Sequence, residues 1–293
     1  MLPDEILKKV KRLELSTRKL VRESMSGVYK SNFKGAGVQF KEHRVYQPGD
    51  DVRHIDWKVS ARMREPLMKL FEEERELTVF LAVDVSGSED FSSARKLKSE
   101  MAAELGALLS FAATRTGDKV GLILFSDQIE KIIPPRKGRS HVLRLVTELL
   151  TFIPKSKKTN LSTAFQSIQR MMRHPGILFI VSDFLDENFE LALKQLSRRN
   201  DVVAIQTQDT LEEELLPKGV YCVLDPETGD ECYVDTASYS FQKWYDEQIR
   251  KRAETLKDVF RQAKVDQLLV RTSEDYGEAL VQFFRKRKRT KAR

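Results

Sequence analysis

The chain has 293 residues, and its 41% hydrophobic content is ample for the core of one large or two small domains. Its apolar stretches reach about seven residues where a membrane-spanning helix needs ~20, and the acids of Met1-Leu2-Pro3-Asp4-Glu5 do not fit a secretory leader, so a cytoplasmic protein is expected. The net charge of +7 belongs to one end: Arg285, Lys286, Arg287, Lys288, Arg289, Lys291 and Arg293 account for it, and the other 44 basic residues balance 44 acids.

Residues 4–24 carry an apolar stripe of Ile6, Leu7, Val10, Leu13, Leu20 and Val21 among basic residues, which predicts an amphipathic helix. Gly27, Gly35 and Gly37 end that pattern, and residues 38–57 read as extended. A turn is expected at Gln47-Pro48-Gly49-Asp50-Asp51, after which Arg53, Ile55 and Trp57 share one face and His54, Asp56 and Lys58 the other. Residues 1–75 thus predict an N-terminal helix and a small β subdomain.

From residue 77 strands alternate with helices, the pattern of βαβ units and a parallel sheet. Strands are predicted at 77–83, 119–125, 129–133, 177–182, 201–206 and 266–270, and the clearest helix at 93–115, where Leu97, Met101, Leu105, Leu108, Leu109 and Ala112 recur at helical spacing. The link Ser126-Asp127-Gln128 is too short for a crossover, so the strand at 129 should run antiparallel at an edge. Residues 219–235 predict a hairpin around the turn Asp225-Pro226-Glu227-Thr228-Gly229-Asp230, followed by a long helix at 239–263. A turn centred on residue 227 sets Cys222 opposite Cys232. Two free thiols are the expectation in a reducing compartment, with a cross-strand disulfide as the alternative. The basic tail, 285–293, reads as a solvated helix end, the alternative being contact with acidic lipid or nucleic acid.

Chemistry gathers where two of these strands stop. The run Leu77 to Val83 ends at Asp84-Val85-Ser86-Gly87-Ser88, and the run Ile177 to Val181 ends at Ser182-Asp183. Unbroken apolar runs are what strands covered on both faces require, and open parallel sheets bind ligands beyond the carboxyl ends of their strands. Thr159, in Lys158-Thr159-Asn160-Leu161, stands just before another helical pattern. Each short motif alone is an ordinary helix cap. Jointly Asp84, Ser86, Ser88, Thr159 and Asp183 offer two carboxylates and three hydroxyls, a hard-oxygen set suited to Mg²⁺ or Mn²⁺ rather than zinc. No nucleotide-binding GxxxxGK[ST] loop or GxSxG elbow is present, and the four histidines are scattered. No catalytic residue is assigned and no small-molecule substrate is expected. The rival reading is an Mg²⁺-dependent phosphoryl-transfer hydrolase, against which Ser86 stands where such phosphatases carry a second acid.

The set Asp84, Ser86, Ser88, Thr159 and Asp183 resembles the metal-ion-dependent adhesion site of the von Willebrand factor A domain. The segment Tyr46 to Trp57, with Ser60-Ala61-Arg62, Leu216-Pro217-Lys218-Gly219 and Asp225 to Gly229, is similar to the bacterial domain of unknown function 58 family. The resemblance implies a von Willebrand factor A-like α/β fold over 76–284, a doubly wound, mostly parallel six-stranded sheet with an antiparallel edge strand. It implies Ser86, Ser88 and Thr159 at or near the ion and Asp84 and Asp183 acting directly or through water, with a coordination position left for a partner's carboxylate. It also implies a non-enzymatic adaptor or co-chaperone of a MoxR-type AAA+ ATPase. Arg53, Asp56, Trp57 and Arg62 are expected to form a buried network, Asp56 paired with an arginine and Trp57 packed on the sheet. Their alternative role is a docking face for the ATPase.

Overall fold

The computed structural model describes residues 8, 10–15, 29, 39–72, 77–90, 97–213 and 216–291. The chain forms two compact units, Phe33–Leu77 and a larger one made of Met1–Asn32 with Thr78–Arg293. Most of the helix expected at 4–24 lies outside the described residues, of which 10–15 are helical with Val10 and Leu13 buried.

In the small unit β1 (Gln39–Val45) pairs antiparallel with β2 (Leu67–Glu72), and α1 (Trp57–Met63) lies between them in sequence. The extended conformation predicted for 38–57 ends at Val45. Asp51 accepts the Arg53 N–H to close a 3-10 turn over Val52–His54, and Asp56 caps α1 by accepting the Val59 N–H at 3.2 Å. Each aspartate satisfies N–H groups that coiling leaves orphaned, which outweighs the alternation of Ile55 and Trp57. Asp56 also meets His43 Nε2 at 3.1 Å and Lys69 Nζ at 3.4 Å, with no arginine among its hydrogen-bond partners. The His43 contact is the main reason its carboxyl is held down at about 2. Trp57 is 69% exposed, and Arg53 and Arg62 are exposed as well, so the expected buried network is absent among the described residues.

From Thr78 the larger unit runs through β3 (Thr78–Asp84), α2 (Lys98–Arg115), β4 (Lys119–Phe125) and the edge strand β5 (Ile129–Arg136). It continues through α3 (Arg139–Thr151), α4 (Leu161–Met171), β6 (Ile177–Ser182), α5 (Glu190–Ser197) and β7 (Asp201–Gln208). A short α6 (Thr210–Glu213) and the hairpin β8 (Val220–Leu224) with β9 (Glu231–Asp235) precede α7 (Tyr239–Ala263), β10 (Asp266–Arg271) and α8 (Tyr276–Lys291). The sheet order is β10-β7-β6-β3-β4-β5, parallel except for β5 against β4. This is the doubly wound α/β sheet with an antiparallel edge expected of a von Willebrand factor A-like fold. Its order reverses between β3 and β6, where their carboxyl ends leave a crevice.

Side-chain alternation splits the core into two layers. Ala82, Ile123, Leu178, Ile180 and Ala204 face a cluster of Phe165, Ile168, Leu193, Leu196 and Phe260 from α4, α5 and α7. On the other face Phe179 meets Phe284 of α8 edge-on, and a Cβ on Gly106 of α2 would lie 3.6 Å from Leu81.

Two finer expectations change. Cys222 pairs in register with Tyr233, and Val223 with Cys232, so both thiols are exposed and free. The six-residue turn is centred between Glu227 and Thr228, and a one-residue shift puts the two cysteines on opposite faces of the ribbon. The predicted solvated tail is the last part of α8, and Arg287 there is buried. Leu280, Phe284 and Arg287 fall on one helical face, where the guanidinium bonds Asp266 through Nε at 2.7 Å and also pairs with Asp201. Arg287→Ala should cost about 2–3 kcal/mol, below the ~3–5 of a fully buried pair because the two acids are 35% and 46% exposed and screened. Urea unfolding would read it, and a loss under ~0.5 kcal/mol would return Arg287 to the solvated set.

Candidate metal centre

Strands β3 and β6 run side by side with Val83 opposite Val181, so their last residues reach the crevice together. Asp84 Oδ1 accepts the Ser86 N–H at 3.0 Å, and Oδ2 accepts the Ser182 hydroxyl at 2.8 Å. The hydroxyls of Ser86 and Ser88 lie 3.2 Å apart. Asp183 is set by an unusual backbone: Phe184 beside it has φ of 55°, a left-handed conformation rare for a bulky residue. Burial of Phe184 edge-on to Phe260 and the bond from its N–H to Ser182 Oγ hold it there. The turn lets Asp183 Oδ1 accept the Leu185 N–H and leaves Oδ2 for Lys98.

Three loops are laced together around these groups. The Gly87 N–H donates to Lys157 O at 2.8 Å, the Leu161 N–H to Asp186 Oδ2 at 2.7 Å, and the Asp183 N–H to Glu89 Oε1 at 3.0 Å. Asn160 caps α4 through the Thr163 N–H, which places Thr159 one residue before the cap. Thr159 donates its hydroxyl to Glu227 Oε1 at 2.6 Å and its N–H to Oε2 at 3.3 Å. Asp84, Ser86, Ser88 and Asp183 are thus joined at the crevice, and Thr159 sits on the adjoining loop with the hairpin glutamate.

Sequence reading missed Glu89, Lys98 and Glu212. Carboxylate oxygens of Asp84, Glu89 and Asp183 lie within 4.8 Å of one another, all three residues buried. Lys98, fully buried at the start of α2, donates to Asp183 Oδ2 at 2.9 Å and Glu212 Oε1 at 2.6 Å. Glu89 follows Ser88 directly and was a readable signal; Lys98 and Glu212 needed the fold to bring them in. Burial, then the charge of Asp183, pushes the Asp84 carboxyl up to about 7, and the same two causes push Glu89 well above its ordinary range. Burial alone would lower the Lys98 ammonium, but Glu89, Asp183 and Glu212 more than reverse it.

These groups fit a hard divalent cation. Three carboxyls, those of Glu89, Asp183 and Glu212, act on the Lys98 ammonium, Asp84 adds a fourth to the cluster, and buried Glu89 Oε2 has no hydrogen-bond partner among the described residues. An unpartnered buried carboxylate oxygen is costly, and a cation beside it would remove the cost. The donors are all oxygens, as Mg²⁺ prefers.

Among known proteins, a family model described as "Protein of unknown function DUF58" matches residues 42–255. Protein Mb1516 of Mycobacterium bovis and protein Rv1480 of Mycobacterium tuberculosis are each 30% identical over 285 residues, covering 94% of this chain and 88% of the relative. Solved structures with likeness include BatB from Bacteroides thetaiotaomicron, 16% identical with a TM-score of 0.46 over 73% of this chain and 99% of that one. The SpRpn10 VWA domain is 9% identical with a TM-score of 0.39, over 71% and 94%. No described helix is long and apolar enough to cross a membrane. With a family model spanning most of its length and relatives aligned over nearly all of it, the chain belongs to the DUF58 family.

Proposed function

We propose that this protein is a non-enzymatic, metal-dependent protein-interaction module. The observation that carries the reading is the buried cluster of Asp84, Glu89 and Asp183 beside the Ser86 and Ser88 hydroxyls at the sheet's reversal point, with one carboxylate oxygen unpartnered. Ser86, Ser88 and Thr159 would offer hydroxyl oxygens to Mg²⁺ or Mn²⁺, and Asp84 and Asp183 carboxylates directly or through water. Bound there, the ion would supply a Lewis-acidic position for an acidic side chain of a partner. The family resemblance names that partner as a MoxR-type AAA+ ATPase and the role as adaptor or co-chaperone, in the cytoplasm. Against the hydrolase alternative, the place of the second acid that would carry the proton is taken by Ser86, whose hydroxyl lies 3.2 Å from that of Ser88.

The test is retention of the purified MoxR-type ATPase encoded in the same genome by immobilised wild type and Asp84→Ala, each in Mg²⁺ and in EDTA. Wild type in Mg²⁺ should hold it at least ~10-fold better than the other three arms. Equal retention in all four arms would move the interface elsewhere and sink the metal-bridged reading.

A further inference from the structure

The hairpin tip carries an acid into the crevice. Glu227 is about the turn's midpoint, and its two carboxylate oxygens take both polar groups of Thr159 that can donate, the hydroxyl at 2.6 Å and the N–H at 3.3 Å. From Cys222 to Asp230 it is the one half-buried residue, its neighbours all being exposed. The turn is built to present it: Asp225 Oδ1 accepts the N–H groups of Glu227 and Thr228 at 2.8 and 3.3 Å, and the Gly229 N–H returns to Asp225 O at 2.8 Å. It is also seated closely. A Cβ on Gly87, between the two serines of the site, would lie 2.6 Å from Pro226 O, so the tip rests on the backbone that carries Ser86 and Ser88.

We infer that Glu227 is an internal ligand of this site: the protein's own hairpin places a carboxylate where a partner's acid would engage, and a partner must displace the tip to bind. This rests on the metal-dependent reading above and adds the occupant of its open position. A solvated glutamate has no reason to give up water for one threonine. Thr159 belongs to the proposed donor set, and a carboxylate bonded to it is held beside any cation the set takes. The β8–β9 ribbon is a two-stranded sheet whose residues are mostly exposed, so it lifts with little loss of buried contact and suits a displaceable plug.

The test uses the full chain in wild-type, Glu227→Gln and Gly87→Ala forms. Mg²⁺ affinity is read by titration calorimetry, and hydrogen exchange of residues 220–235 is read with Mg²⁺ and with EDTA. Wild type should gain about tenfold or more hairpin protection on adding Mg²⁺. Glu227→Gln should lose that gain while still binding Mg²⁺, about tenfold more weakly. Gly87→Ala, whose methyl evicts Pro226 without removing the acid, should also deprotect the hairpin. If Mg²⁺ binds but hairpin exchange is the same in all three proteins, Glu227 is only a hydrogen-bond partner and the inference falls alone. If wild type binds no Mg²⁺, the metal-dependent reading and this inference fall together.

Discussion

Replacing Lys98 with methionine should destabilise the metal-free protein by about 3–5 kcal/mol, the cost of leaving a buried charge cluster without its counter-ion. The ammonium is fully buried and bonded to Asp183 and Glu212, with Glu89 close enough to be the largest electrostatic contributor to its charge. Methionine keeps the bulk of the stem, so packing is largely preserved and the loss reports electrostatics. The deficit should depend on pH with a definite sign. Carboxyls whose folded pKa is raised add stability below their unfolded value and lose it as pH rises through the folded one, about 7 for Asp84. Lys98→Met should therefore be mildest near pH 5 and worst near pH 8. Mg²⁺ should restore more stability to the variant than it gives to wild type, because the cation then supplies the missing positive charge. Urea unfolding at pH 5 and pH 8, with EDTA or Mg²⁺, measures all of this. A loss under ~1 kcal/mol at pH 8 would mean that the carboxyls are neutral at rest and that Lys98 is not their counter-ion.

What sequence reading could reach here depended on how local each signal was. The strands around the site were legible because Val79 to Val83 and Ile177 to Val181 are unbroken apolar runs, the pattern that a parallel strand covered on both faces requires. The antiparallel edge followed from a three-residue link, and α7 (Tyr239–Ala263) from a long helical pattern ended by Lys264 in a left-handed cap. Failure came where a single side chain redirects the backbone. Asp51 and Asp56 coil the segment that alternation drew as a strand, and so Trp57 lies on a helix in solvent. The cysteine register failed on parity, since an even-numbered turn has no central residue. Four of the five candidate site residues meet because two strand ends meet, which the strand runs forecast. Glu89 was passed over although it adjoins Ser88, whereas Lys98, Glu212 and Glu227 were not forecast because their roles depend on buried charge balance and on a hairpin folding back, and neither leaves a periodic trace.

Glu89→Gln should move stability and metal affinity in opposite directions, which separates a metal ligand from a structural hydrogen-bond acceptor. Glu89 Oε1 accepts from the Asp183 N–H and the Thr207 hydroxyl, and the amide oxygen of glutamine preserves both bonds. The other oxygen, unpartnered among the described residues, becomes an NH₂ with donors to give to nearby carboxylates. At pH 8 the metal-free variant should be more stable by about 1–2 kcal/mol, since a buried anion crowded by Asp183 and Asp84 has been replaced by its neutral shape. That gain should vanish toward pH 5, where a carboxyl of raised pKa is protonated and glutamine merely imitates it. Mg²⁺ affinity should fall roughly 10–100-fold, because one of three clustered carboxylates no longer balances the ion's charge. Thermal unfolding in EDTA and calorimetric Mg²⁺ titration provide the two readings. Lower stability with unchanged affinity would make Glu89 a structural brace between β6 and β7; higher stability with weakened affinity is the signature of a site whose charge is held for a cation.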